Sequence, residues 1–354
     1  MAGRHRDGPV PQPIVRTVLG DVDPDALGHT QPHEHLLIDL RRPRSKRATA
    51  SERALDEAPI TLENYYYVRR HHTSADLQLF DRDVAVEELA RYVAAGGGTI
   101  VDATSIGLGR DPHGLADIAR RSGVHVVMGA GFYFRDYHPA DVATATQYEL
   151  TAEIVADVRT GVGDTGIRSG VIGEIGLSHP LHADEAKVLR AACAAQRETG
   201  AALMIHPGRD PRSPLEALDV VAAEGVDQAR VIMSHIERTV FSTADIRAIA
   251  DRGCYVAFDL FGQESSYYAL APIDMPNDAT RVDYIVDLVA HGHGDRVLVS
   301  QDICHKSNMT TYGGEGFAHI LDHVVPLMRR KGIDDAGIAA ITVTNPARAI
   351  AFPG

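Results

Sequence analysis

A chain of 354 residues, 44% hydrophobic and 23% charged, can bury a sizeable core as one large domain or two medium ones. Its formal net charge of −13 argues against a nucleic-acid or anionic-membrane partner. No apolar run reaches transmembrane length, and Cys193, Cys254 and Cys304 are too few and too widely spaced for a disulfide framework, which fits a reducing cytosol.

The N-terminus carries charge but no apolar stretch behind it, so no secretory signal is expected and the compartment expected is the cytoplasm. Residues 1–13, rich in Arg, Gly and Pro, read as a flexible arm ahead of one domain spanning residues 14–354. Ile14 to Leu19 predicts a short strand, and the turn-forming Gly20-Asp-Val-Asp-Pro24 follows it. His29 to Asp39 predicts the first buried strand. A polar insertion then runs from about 41 to 81. It holds Arg41, Arg42, Arg44, Lys46 and Arg47, read as a solvated loop, and then Tyr65-Tyr-Tyr67.

Beyond the insertion, helical and strand patterns alternate. Helices are predicted over Val84–Ala95, Pro112–Arg121, Val142–Arg159, Asp184–Thr199, Pro214–Ala223, Thr243–Asp251, Arg281–Ala290 and Gly316–Arg329, with a last helical pattern over about 335–350. Between them lie apolar strands at Thr99–Ala103, His125–Tyr133, Gly170–Leu177, Ala202–His206, Arg230–His235, Cys254–Phe258 and Arg296–Ser300. Eight short buried strands separated by helices predict a parallel sheet, closed as a (β/α)8 TIM barrel. The alternative, an open doubly wound sheet, lacks a Gly-x-Gly-x-x-Gly turn after the first strand.

Glu174 lies in the apolar stretch Gly170-Val-Ile-Gly-Glu-Ile-Gly-Leu177, and a lone buried acid is costly unless a cation or hydrogen bonds pair with it. His33 and His35 lie on the first strand. His206 and His235 end the fifth and sixth strands, and Asp302 follows the eighth. A barrel of this class places its active site at the C-terminal ends of its strands, so all six residues fall on one rim. Residues i and i+2 of a strand share a side, so His33 and His35 can both face the axis while Glu34 points away. Four imidazoles and two carboxylates suit two divalent transition metal ions: zinc first, with manganese, cobalt and iron as alternatives. Two such ions about 3.5–4 Å apart can share a hydroxide and lower its pKa toward 7. Glu174 is expected to bridge them, and Asp302 to act both as ligand and as acceptor of the hydroxide proton.

Pro32-His-Glu-His-Leu36, Gly173-Glu-Ile-Gly176, Ile205-His-Pro-Gly-Arg-Asp210, Met233-Ser-His-Ile-Glu-Arg-Thr239, Phe258-Asp-Leu-Phe-Gly262, Ser300-Gln-Asp302 and Thr344-Asn-Pro-Ala-Arg348 together resemble the phosphotriesterase family of the amidohydrolase superfamily, nearest its phosphotriesterase-related branch. The resemblance runs from about residue 14 to 352. It implies a binuclear metal hydrolase on a TIM barrel, often a homodimer. It places His33, His35 and Asp302 at the buried metal, His206 and His235 at the exposed one, and Glu174 where many members carry a carboxylated lysine. It also exposes a departure. Organophosphate-cleaving members carry a relay His after the strand-seven Asp. Here Leu260 follows Asp259, and Arg238 stands where a relay carboxylate would be.

Three residues are candidates for substrate binding. Arg209 and Lys306 lie on rim loops and suit an anionic group such as a carboxylate or sulfonate. Tyr133 ends the third strand and can orient a scissile carbonyl. Tyr65-Tyr-Tyr67 and Tyr267-Tyr268 can line a pocket. The function expected is hydrolysis of a carboxylic amide, ester or lactone, possible substrates including an N-acyl compound with an anionic end. Phosphoester hydrolysis and mere small-molecule binding on the same barrel are the alternatives.

Overall fold

The computed structural model describes residues 12–41, 49–265, 268 and 270–353. Most of the predicted N-terminal arm, the basic residues Arg42, Arg44, Lys46 and Arg47, and Tyr267 lie outside these.

Eight parallel strands form the sheet. They are β1 (His29–Glu34), β2 (Gly97–Asp102), β3 (His125–Ala130), β4 (Val171–Gly176), β5 (Ala202–His206), β6 (Val231–Met233), β7 (Tyr255–Phe258) and β8 (Val297–Val299). Each pairs with the next in chain order. Closure between β1 and β8 is made by single hydrogen bonds. His33 N–H donates to Ser300 Oγ at 3.1 Å, and Asp302 N–H donates to His33 O at 3.1 Å. The fold is thus the TIM barrel expected from alternating buried strands and helices.

Alternation along the strands divides the core. Val101, Val127, Val171, Met204, Ile232, Ala257 and Leu298 pack together inside the barrel. Their neighbours Ile172, Leu203, Val231, Met233, Val256 and Val299 face outward and pack against helical residues such as Val188, Leu189 and Ile285. Each large aliphatic side chain so buried contributes roughly 1.5–3 kcal/mol.

Two differences from the expected elements matter for the site. The first strand ends at Glu34, and Ile38–Asp39 leaves the barrel to pair antiparallel with Gln78–Leu79. The sixth strand ends at Met233, because His235 takes a left-handed backbone (φ 55°) and starts a short helical turn. Beyond the basic run, the insertion is not loop throughout. It carries helices α1 (Ala50–Glu57) and α2 (Tyr65–His71), the first closed by a reciprocal cap between Thr49 and Glu52. Elsewhere the helix predicted from Val142 spans Gln147–Arg159, because Thr146 and Glu149 cap it there.

Candidate metal centre

Strict alternation would put Glu174 on the wrong side of β4. Val171 faces the barrel interior and Ile172 the helices, yet Ile175 also faces the helices. An extra residue therefore sits between Ile172 and Ile175, and the pairing with both β3 and β5 shifts register there. This β-bulge turns the Glu174 side chain inward. Gly173 permits it: its φ is 136°, and a Cβ there would lie 2.5 Å from Met204 O.

Glu174 becomes the meeting point of the predicted ligands. Its Oε2 lies 2.8 Å from His206 Nδ1, 3.4 Å from His235 Nε2 and 3.5 Å from His33 Nε2. Its Oε1 lies 3.7 Å from His35 Nε2. Asp302 Oδ1 lies 3.1 Å from His35 Nε2 and 3.7 Å from His33 Nε2. His33, His35 and Glu174 form one group of potential ligand atoms, and Glu174, His206 and His235 form another. All six residues expected at the centre are therefore brought together, with Glu174 common to both groups.

The chain also orients the rings. Asp259 accepts from His33 Nδ1–H at 2.9 Å and from His235 Nδ1–H at 2.8 Å. Thr104 donates its hydroxyl to Leu37 O, so at 2.8 Å it accepts from His35 Nδ1–H. In all three imidazoles Nε2 is thus the nitrogen turned toward Glu174 or Asp302, as in carboxylate-supported metal ligands. The Nε2 atoms of His33 and His235 are buried and make no hydrogen bond, which is the state of a ligand atom facing a cation site. Glu34 holds the opposite wall. Its carboxylate accepts from Gln301 N–H at 2.7 Å and Ile303 N–H at 2.8 Å, gripping both neighbours of Asp302, whose φ is 49°.

Charge makes the same demand. Burial disfavours protonated His33, but the carboxylates of Glu174 and Asp259 outweigh it and hold the ring well above its usual pKa. His35 and His235 are raised in the same way, against burial, by Asp302 and Asp259 respectively. Burial would raise the Glu174 carboxyl, but His206 and His33 hold it well below the usual range. The centre attracts positive charge, and the donor set of imidazole nitrogens and carboxylate oxygens fits divalent transition metals.

A cavity of about 330 Å³ is lined by Tyr66, Arg69, Gln263, Tyr268, His305 and neighbouring residues. Helix α2 of the insertion supplies one wall, fastened by Tyr65 OH donating to Ser307 O at 2.8 Å. Gln263 links the cavity to the centre, its Nε2 donating to Asp302 O at 3.0 Å. Tyr133 OH lies 3.2 Å from His206 Nδ1. Arg209 is half-buried, and its Nε donates to Tyr268 OH at 3.1 Å. Lys306 is not brought in. Its backbone N–H donates to Asp76 O, and its ammonium lies 6.0 Å from the centroid of the Tyr312 ring, within its own loop.

The model of the phosphotriesterase family matches residues 13–350. The chain belongs to the phosphotriesterase family. Membership makes it an enzyme of the hydrolase type, as the motifs around His33, Glu174 and Asp302 implied. It is 39% identical over 342 residues to N-acetyltaurine hydrolase of Salmo salar, covering 96% of this chain and 98% of that protein. Among solved structures it is similar to a resiniferatoxin-binding protein from Rhodobacter sphaeroides, with 37% identity, a TM-score of 0.91, and coverage of 95% of this chain and 94% of that one. A lactonase from Listeria monocytogenes matches with 26% identity and a TM-score of 0.78, covering 96% of this chain and 100% of that one.

Within this phosphotriesterase-family barrel, the orienting residues are what sequence reasoning missed. Asp259 was noted only for lacking a His after it; its grip on two rings depends on the convergence of β1, β6 and β7. Glu34 was read only as pointing away from the axis. Leu260, in the relay position, is buried and donates its N–H to Glu237 Oε1 at 2.8 Å.

Proposed function

We propose that the protein hydrolyses a carboxylic amide of the N-acyl type whose far end carries an anion, using two metal ions shared through Glu174. The observation that carries this is the single carboxylate common to two groups of buried ligands. His33, His35 and Asp302 would hold one ion and His206 and His235 the other. When bound, two divalent ions, zinc first among the candidates, supply an activated water at neutral pH and polarise a carbonyl oxygen.

The chain's own residues supply the rest. Asp302, its backbone held by Glu34 and Gln263, takes the proton of the attacking water and passes it to the leaving nitrogen. Tyr133, buried beside His206, offers a hydroxyl to orient the carbonyl. Arg209 offers a guanidinium to the anionic end. The relatives named N-acetyltaurine hydrolase support an amide with a sulfonate end. The lactonase neighbour supports a carbonyl ester as the second reading. Leu260 in the relay position disfavours a dedicated phosphotriester hydrolase.

A metal-loaded screen over N-acyl sulfonates, N-acyl amino acids, lactones and aryl phosphotriesters tests the substrate class. Arg209→Ala then tests the anion contact. A bidentate charged contact is worth roughly 1.5–3 kcal/mol, so kcat/KM on anionic substrates is expected to fall about ten- to a hundredfold, with neutral substrates little affected. Arg209→Lys is expected to restore only part, because an ammonium lacks the planar fork. Equal losses on both substrate types, or none, would make Arg209 a scaffold residue and favour a neutral lactone or ester.

A further inference from the structure

Arg281 lies on the helix Asp278–Ala290, and its side chain is fully buried. Its Nη1 donates to Asp278 Oδ1 at 2.7 Å, its Nη2 donates to Gln263 O at 2.8 Å, and its Nε lies 3.5 Å from Glu237 Oε1. The two carboxylates reach on to the loop that follows β7. Leu260 N–H donates to Glu237 Oε1 at 2.8 Å, and Gly262 N–H donates to Asp278 Oδ1 at 2.9 Å. One guanidinium and its two acids therefore hold the loop at Leu260, Gly262 and Gln263. This stretch begins just after Asp259, which orients His33 and His235. It ends at Gln263, whose Nε2 donates to Gln301 O at 2.7 Å and to Asp302 O at 3.0 Å. Stability alone is a weak reason for a buried arginine, since apolar replacements of buried ion clusters are often neutral or stabilising. What an apolar side chain cannot supply is the planar fork, with one donor for Gln263 O and another for Asp278 in fixed directions.

We propose that Arg281 is a positioning residue for Asp302 and acts through Gln263. Arg281 fixes the Gln263 backbone, and the Gln263 amide in turn fixes the carbonyls of Gln301 and Asp302. Glu34 holds the same segment by its N–H groups, at Gln301 and Ile303. Asp302 is thus set from both sides of its backbone, and Arg281 anchors one of them without touching the centre. The proposal rests on the reading above that Asp302 carries the proton. A misplacement of about 1 Å can cost about a hundredfold in such a step, even when its cause is remote.

The test uses wild type, Arg281→Lys, Gln263→Ala and the double variant. Lysine keeps a cation for the buried acids, so it removes the fork and not the charge. Amide hydrogen exchange is followed over residues 300–304, with 202–206 on β5 as the control, and kcat and KM are measured at saturating metal. Each single variant is expected to raise exchange over 300–304 about tenfold and to leave 202–206 unchanged. In Arg281→Lys kcat is expected to fall about ten- to a hundredfold with KM moving far less. The double variant is expected to fall no further than the worse single, because both act on one path. Full kcat and unchanged exchange in Gln263→Ala would overturn the proposal, even if Arg281→Lys folds poorly. So would additive losses in the double variant, or exchange raised across the whole barrel in Arg281→Lys, either of which would make Arg281 a residue of general stability. If the wild type cleaves no amide while both single variants loosen 300–304 alone, the amide reading fails and the link from Arg281 to Asp302 stands.

Discussion

Glu174→Gln is expected to strip the centre of one or both metals and to lower turnover by about a hundred- to ten-thousandfold. The carboxylate lies within 3.7 Å of four imidazole nitrogens and is the only acid shared by both ligand groups among the described residues. Glutamine keeps the shape but removes the charge and turns an amide N–H2 toward the ring nitrogens. Breaking a buried charged cluster in this way costs roughly 3–5 kcal/mol, which gives the stated range in affinity or rate. Because the proposed bridge is a glutamate rather than a carboxylated lysine, wild-type metal loading is expected to proceed without bicarbonate. Metal analysis and turnover of the purified variant check this. Two retained metals and full activity would make Glu174 a structural acid.

Asp302→Asn is expected to lower kcat by about a hundred- to ten-thousandfold, the range for loss of a positioned proton acceptor, with KM moving far less. The substitution is conservative for the backbone. Asp302 sits at φ 49°, a region asparagine tolerates well, and Glu34 keeps its bonds to Gln301 and Ile303. The loss should therefore report the carboxylate and not a displaced loop. Metal retention by His33 and His35 is expected to weaken, so kcat is measured at saturating metal. A loss under tenfold at saturation would remove Asp302 from the proton path.

The histidines were legible because a strand-end His on a barrel has one rim to occupy; His35 lies just past the end of β1, yet its Nε2 and that of His33 both approach Asp302. Glu174 was legible as a buried acid, but its inward aim was not. It depends on a bulge at Gly173, and one glycine among several in Gly170-Val-Ile-Gly-Glu-Ile-Gly176 gives no sign of which one bends the strand. Asp259 and Thr104 escaped because their roles are relations between strands far apart in sequence. The insertion helix α1 carried a readable signal, Thr49 followed three residues later by Glu52. It was passed over because the neighbouring basic run reads as solvated. Arg238 was visible as a departure at a relay position. Its burial against His206 became visible only once β5 and β6 were placed side by side.

Metal content per chain after exhaustive dialysis, measured alongside activity of the same sample, bears most directly on the shared-carboxylate centre. Two divalent ions per chain are expected, with activity lost on chelation and regained on reloading. One ion or none in a fully active sample would contradict a centre built on Glu174.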